Sequence, residues 1–256
     1  MDLEKGNPNN SAWQYYHSAR NPKNEPYIGV IKCFSKETYR NDFINGKIYF
    51  KESGYFRKLE DNYRGDKFDG KKPIDVGLSN VSIIKDGKVI IPNSNMHDLV
   101  MGFVGDDKIP IFCASLINNN ILVKDGKSFK LNKEYITQIK QFGEYFVYIP
   151  CDEFHNVIKI ACDDQQLSWE IGEVVYSNLS QKYAIENWTP HNIAEEFEVF
   201  FNKNLSYKWE NEIRVILPSI RTISNVDHYV LNTGRFKNIK ILNTEDLPNV
   251  KFTEKN

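Results

Sequence analysis

The sequence predicts a single strand-rich α+β domain, and three observations favour that class. Short runs rich in β-branched and aromatic residues recur along the chain, Asp-Gly pairs separate some of them, and helical periodicity is confined to short segments. The 256 residues are 41% hydrophobic and 13% aromatic, which excludes wholesale disorder. We predict an N-terminal arm with little regular structure over residues 1–26, and one catalytic domain over 27–256, because no linker or change of composition divides that stretch.

The first predicted unit is a strand, a short helix and a second strand. Residues 28–34 are apolar and rich in β-formers, and Ser35 can cap the helix that follows. Apolar residues then recur at helical spacing until Gly46, a residue suited to the left-handed position after a helix. Residues 47–50 have strand character again.

Later elements follow from turn and capping residues. Asp86-Gly87 and Asp125-Gly126, each between β-formers, predict two hairpins. Thr189-Pro190 predicts a helix start, because the threonine can cap it and proline is favoured at the first helical position. Further strands are predicted over residues 109–115, 145–150, 174–176, 207–217, 229–231 and 239–242.

The strand predicted over 207–217 carries the most informative polar residues. Side chains alternate between the two faces of a strand, so Glu210, Glu212 and Arg214 are expected to share one face. Two neighbouring carboxylates raise the pKa of at least one of them unless a cation compensates. The alternative interpretation is a solvated strand face with one ion pair.

The segment 55–70 is dense in charged and aromatic residues. Arginines interleave with aromatic residues there, as they do where nucleotides stack and phosphates bind, and Phe56, Arg57 and Arg64 are its candidate ligand-binding residues. The alternative is a surface turn crossed by Arg–Asp pairs, which contribute about 0–1 kcal/mol each.

Together these features resemble the mono-ADP-ribosyltransferase fold, a split β-sandwich with a few helices. The resemblance rests on the strand–helix–strand start, the late helix and the Glu-x-Glu strand at Glu210 and Glu212. The late Trp-x-x-x-x-Arg spacing and the Glu-x-Glu-x-Arg strand are also similar to a widespread, poorly characterised bacterial domain family. The first strand offers Lys32 and Cys33 where branches of the transferase fold carry histidine or arginine.

The resemblance implies an NAD-dependent ADP-ribosyltransferase and assigns roles to particular residues. Glu212 matches the glutamate that binds the nicotinamide-ribose hydroxyl and stabilises the oxocarbenium-like transition state. Glu210 matches the glutamate that orients or deprotonates the acceptor. Tyr49 matches the tyrosine that stacks on nicotinamide, and the other NAD-binding candidates are Phe56, Arg57, Arg64 and Arg214.

The resemblance also implies a biological setting. Bacterial proteins of this fold are often toxins or phage-defence effectors, so we expect a nucleic acid or protein acceptor and an antitoxin protein as a partner. Lys and Arg number 33 against 34 Asp and Glu, which argues against binding nucleic acid through bulk positive charge but leaves room for a local patch. Four scattered cysteines, and apolar runs shorter than the ~20 residues of a membrane span, predict a soluble cytoplasmic protein.

Two other classes of function stay open. A metal-dependent nuclease would combine Asp61, Asp66 or Asp69 with the two glutamates around Mg²⁺, with Arg214 in the place of the usual lysine. A zinc site formed by Cys151, His155 and Cys162 is less favoured, because these residues straddle a predicted β region at unsuitable spacing. A non-enzymatic module that docks on a partner protein is the third class, and aromatic residues suit such an interface.

Overall fold

The computed structural model describes residues 2–4, 28–59, 70–74, 83–91, 99–101, 105–177, 197–220 and 228–253. Within these residues the chain is a mixture of helices and many short strands, which confirms the strand-rich α+β class. The strands are β1 Asp2–Glu4, β2 Gly29–Phe34, β3 Lys47–Glu52, β4 Lys72–Ile74, β5 Ile83–Lys85, β6 Lys88–Ile91, β7 Leu99–Met101, β8 Pro110–Ile117, β9 Leu122–Asp125, β10 Ser128–Leu131, β11 Tyr145–Pro150, β12 Glu170–Glu173, β13 Val175–Ser177, β14 Asn202–Asn204, β15 Glu212–Ile216, β16 His228–Asn232, β17 Lys240–Asn243 and β18 Lys251–Thr253.

The helices are short. The α-helices are α1 Glu37–Ile44, α2 Ser53–Lys58, α3 Lys133–Ile139 and α4 Cys151–Asp164. The 3-10 helices are Asp106–Lys108, Lys140–Phe142, Val199–Phe201, Leu205–Glu210, Pro218–Ile220 and Leu247–Asn249. Among the described residues, no helix combines the length and the apolar character that crossing a membrane requires.

The main sheet forks at its central strand. Its order is β12-β15-β8-β2-β11-β17, and β3, paired with β16, also joins β8. One end of β8 pairs with β2 as far as Ile31 and Ser115, and the other end pairs with β3 at Lys51 and Ile111. Strands β2 and β3 pair with the same edge of β8 but at opposite ends of it. Residues 112–114 of β8 therefore lie at the gap where β2 and β3 diverge. A smaller sheet has the order β1-β18-β10-β9.

The two faces of the main sheet differ in composition. One face carries a single large apolar cluster, in which Phe112, Ala114 and Val215 pack with residues of α4. The other face has two separate clusters, one at the Ile117 end of β8 and one at the Ile111 end. Register places two polar rows between them, Ser115 opposite Glu212 and Cys113 opposite Arg214.

Most of the predicted strands are confirmed. The strand–helix–strand unit, both hairpins and the strands β8, β11, β16 and β17 lie where the sequence predicts them. Asp86 and Gly87 both have positive φ, as the tight hairpin turn requires, and Gly46 follows α1 with φ of +89°. Helix α1 begins at Glu37 rather than next to Ser35, and its N-cap residue Lys36 makes no side-chain capping bond. The helix predicted to start at Thr189 falls outside the described residues.

Two predictions about local structure are wrong. The β region predicted around Cys151, His155 and Cys162 is helix α4, because apolar residues there recur every three to four positions and pack on the sheet. The strand predicted over 207–217 begins only at Glu212, and a 3-10 helix precedes it. In the predicted N-terminal arm the structure describes only Asp2–Glu4, which form β1 and pair in parallel with β18.

Candidate active site

A sharp turn at Asn211 joins the 3-10 helix Leu205–Glu210 to β15 and so separates Glu210 from Glu212. Asn211 takes a left-handed conformation with φ of +45°, and its side-chain amide donates to the Leu116 carbonyl and, at 2.9 Å, to Asn118 Oδ1. Asparagine tolerates this conformation better than most residues. The prediction that Glu210 shares a strand face with Glu212 is therefore wrong, because Glu210 ends the 3-10 helix instead.

Lys203 brings the two carboxylates together despite the turn. Its Nζ lies 2.6 Å from Glu210 Oε2 and 3.1 Å from Glu212 Oε2. Arg214 completes the group, and its Nε donates to Glu212 Oε1 over 2.7 Å. All four side chains are buried, which leaves each charge dependent on the others for compensation.

Side chains also form hydrogen bonds with the backbone at and around these four charged residues. Arg214 Nη1 donates to the Phe200 carbonyl, and the Ser115 hydroxyl donates to the Glu210 carbonyl. The Glu212 backbone N–H donates to the Tyr176 hydroxyl oxygen over 2.8 Å. The Ser115 bond and the pairing of Glu212 with Ser115 place both glutamates beside β8.

The two glutamates have pKa values displaced in opposite directions. Burial is the largest effect on Glu210, and together with the neighbouring charge of Glu212, and against the opposing effect of Lys203, it raises the pKa of this carboxyl to about 8. Burial by itself also raises the pKa of Glu212, but Arg214 and Lys203 outweigh it and hold that pKa well below its usual value. Glu212 is thus held ionised, whereas Glu210 gains or loses a proton near neutral pH. Such a pair of carboxyl groups with different protonation states is typical of acid–base sites.

The four charged residues line a cavity of about 370 Å³ that occupies the fork in the sheet. That volume lies within the range of roughly 300–1,000 Å³ found for small-molecule sites. Its walls combine the charged group with lysines and aromatic rings: Lys32, Phe34, Tyr39, Lys51, Tyr55, Phe56, Cys113, Ser115 and Phe142 are among the lining residues.

The cavity brings four of the predicted site residues together. Glu210, Glu212, Arg214 and the half-buried Phe56 all line it. Tyr49 does not line it; this residue is 45% exposed and stacks on His228 with ring centroids 5.9 Å apart.

Two predicted arginines are not among the described lining residues. Arg57 does not line the cavity, and its guanidinium pairs with Asp107. Arg64 falls outside the described residues, as do Asp61, Asp66 and Asp69 of the nuclease alternative. Within the part of the chain that the structure describes, no group of three or more His, Cys, Asp or Glu residues is arranged to hold a metal ion.

Sequence reasoning missed Lys203, the residue that links the two glutamates. A single lysine close after the apolar run Val199–Phe201 is a weak signal, and only the fold shows that Lys203 is buried beside Glu210. It also missed Cys113, a lining residue whose pKa is raised by burial and by the adjacent Glu212, which keeps it a neutral thiol. Tyr39 also lines the cavity, and the sequence shows it only as one of the residues that recur at helical spacing before Gly46.

No family model matches this chain, and no curated protein or solved structure matches it.

Proposed function

We propose that this protein is an NAD-dependent ADP-ribosyltransferase whose acceptor is a nucleic acid or a protein. The observation that carries the proposal is the Glu210–Lys203–Glu212–Arg214 group in the wall of the cavity. Breaking an N-glycosidic bond builds positive charge on the sugar, and a fixed carboxylate stabilises that charge. The cavity supports the same proposal, because Glu212 lines it together with residues of β2, and the resemblance to ADP-ribosyltransferases implies a catalytic glutamate near the first strand of the strand–helix–strand unit.

Glu212 is the residue we assign to the sugar. Its oxygens interact with Arg214, Lys203 and the Cys113 thiol, and the residue lines the cavity that a ribose would enter. Because the two cations keep it ionised, its negative charge is in place before the transition state forms. A charge fixed in advance needs no reorganisation during the reaction.

Glu210 is the residue we assign to the acceptor. In the transfer, the bond between ribose C1′ and nicotinamide breaks with its electron pair going to nicotinamide, and the acceptor's oxygen or nitrogen bonds C1′. Glu210 takes the proton that the acceptor loses, which requires its ionised form. With its pKa raised to about 8 by burial and by Glu212, we expect kcat/KM to rise with pH up to that region.

Aromatic and cationic walls suit the remainder of the ligand. Phe34 and Phe56 line the cavity with aromatic surface, and Lys32 brings positive charge to it. Planar bases pack on aromatic rings, and phosphates bind lysine ammonium groups. These walls therefore match a dinucleotide that carries two bases and a pyrophosphate.

The test is nicotinamide release from NAD by the purified protein, with water, DNA, RNA and lysate protein offered as acceptors. Glu212→Gln removes the charge but keeps the shape, and we expect it to reduce release by about 100-fold or more. Glu52→Gln is the matched control, since Glu52 is also buried and paired, with Lys108 at 3.0 Å, but does not line the cavity. We expect this control to keep activity.

Two results would overturn the proposal. One is an absence of nicotinamide release with every acceptor from folded wild-type protein. The other is equal release by wild type and Glu212→Gln. Cleavage of nucleic acid on addition of Mg²⁺ would instead favour the nuclease, and loss of all activities would favour a partner-binding module. Thermal unfolding of each variant shows that a lost activity is not a lost fold.

A further inference from the structure

The mouth of the cavity carries two solvent-exposed tyrosines, one beside each branch of the fork. Tyr39 lies in α1, which follows β2, and Tyr55 lies in α2, which follows β3. They are 49% and 38% exposed, and both line the cavity. Aromatic rings exposed at the opening of a pocket suggest a binding role, because the fold gains little from leaving them in water.

Each of these tyrosines has a lysine against its ring. Lys36 Nζ lies 5.4 Å from the centroid of Tyr39, and Lys51 Nζ lies 4.8 Å from the centroid of Tyr55. The mouth therefore repeats one unit, a flat ring with a lysine charge over one face. Nucleic acid strands have the complementary pattern, with flat bases joined by negatively charged phosphates.

A third aromatic surface lies on another wall. Phe142 lines the cavity and stacks on Trp209 with ring centroids 5.4 Å apart, and Lys140 precedes it by two residues in the same 3-10 helix. Three ring surfaces around one opening can each receive a base only if the bases are unstacked. Bases of a duplex are stacked on one another, so the arrangement favours a single strand.

We propose that the cavity mouth binds single-stranded nucleic acid through Tyr39, Tyr55 and their lysines, and presents it as the acceptor to Glu210. The acceptor role rests on the proposed transferase function, whereas the binding itself does not. The net charge of −1 does not attract nucleic acid phosphates to the protein as a whole. The attraction is local and comes from the positive charges of Lys36 and Lys51.

The test is the binding of a fluorescent single-stranded oligonucleotide of about 12 nucleotides, measured by anisotropy without NAD. We expect Tyr39→Ala and Tyr55→Ala each to raise Kd by about 5- to 100-fold, the range for loss of one stacked base. Tyr39→Phe and Tyr55→Phe keep the ring and are expected to keep Kd. Because both side chains are exposed, neither substitution is expected to unfold the protein.

Charge is tested separately. We expect Lys51→Gln to raise Kd and to lower the slope of log Kd against log salt, because a phosphate contact releases counterions. Lys159→Gln is the matched control, since this exposed lysine lies on α4, across the main sheet from Glu212. Its Kd is expected to equal that of wild type.

The inference is overturned if wild type does not bind single strands, with or without modification of lysate protein. It is also overturned if a duplex binds as tightly as a single strand, or if the alanine variants have the same Kd as wild type. An effect of the tyrosine variants on the KM for NAD alone would assign the rings to the dinucleotide and overturn it too. Failure of the transferase function has a different signature. Single strands would then bind with the expected variant effects, while no nicotinamide is released.

Discussion

At the scale of single residues, Arg214 shows how the site stabilises a buried charge. Its side chain is 1% exposed, and it divides its donors between the Glu212 carboxylate and the Phe200 carbonyl. An arginine fits this position better than a lysine, because its planar fork reaches both acceptors at once. Among the described residues, Lys203 is then the cation that still pairs with Glu212, and Lys203 also pairs with Glu210.

We therefore expect Arg214→Ala to lower the free energy of unfolding by about 3–5 kcal/mol, the range for breaking a buried ion pair. The control is Lys159→Ala in the exposed pair with Asp163, where about 0–1 kcal/mol is expected. Urea denaturation measures both variants. A loss for Arg214→Ala no larger than that of the control would contradict the structural role of this pair.

At the scale of elements, the connection from α1 to β3 depends on Gly46. Its φ of +89° lies in the left-handed region, and its carbonyl accepts the Thr233 N–H over 2.7 Å. A Cβ at this position would clash with the Thr233 carbonyl oxygen. Gly46 thus ends α1 and, because it has no Cβ, allows the backbone at Thr233 to pack against it.

We expect Gly46→Ala to destabilise the protein more than Gly126→Ala. Both have positive φ, which costs an alanine about 1–2 kcal/mol, but a Cβ at Gly126 meets open space. Gly234→Ala, with open space and no positive φ, is expected to change stability little. Urea denaturation ranks the three variants. Equal losses for Gly46→Ala and Gly126→Ala would show that the Thr233 contact adds nothing.

At the scale of the whole molecule, burial of the charged group makes stability depend on pH. The pKa of Glu210 is about 8 in the folded protein against an ordinary value of 4.5, because burial and Glu212 favour its protonated form. Between these pH values the unfolded chain has lost this proton and the folded chain still holds it. Stability therefore falls as pH rises through this window and levels off above it.

We expect Glu210→Gln to remove this contribution, because glutamine does not titrate. The melting temperature of the variant minus that of wild type should then increase from pH 5 to pH 8. Glu212 does not produce this trend, since its pKa is lowered by Arg214 and Lys203 and its contribution is lost only at acid pH. A difference in melting temperature that stays constant or decreases over this range would contradict the assignment.

Local patterns predicted much of the fold and part of the site. Both hairpins and the helix end at Gly46 were predictable, because turn chemistry and φ preference act over a few residues. Helix α4 was not, since its β-branched residues also suit a strand and packing against the sheet decides the outcome. Glu212 and Arg214 were correctly placed on one strand face, two residues apart.

The sequence alone determined the class of fold, the local turns and the presence of two neighbouring glutamates followed by an arginine. Only the tertiary structure decided that Glu210 leaves the strand at Asn211 and meets Lys203, and that β2 and β3 diverge to open a cavity there. The reason is physical. Backbone preferences act between neighbours, whereas the burial and pairing of charges depend on segments that pack together from distant parts of the chain.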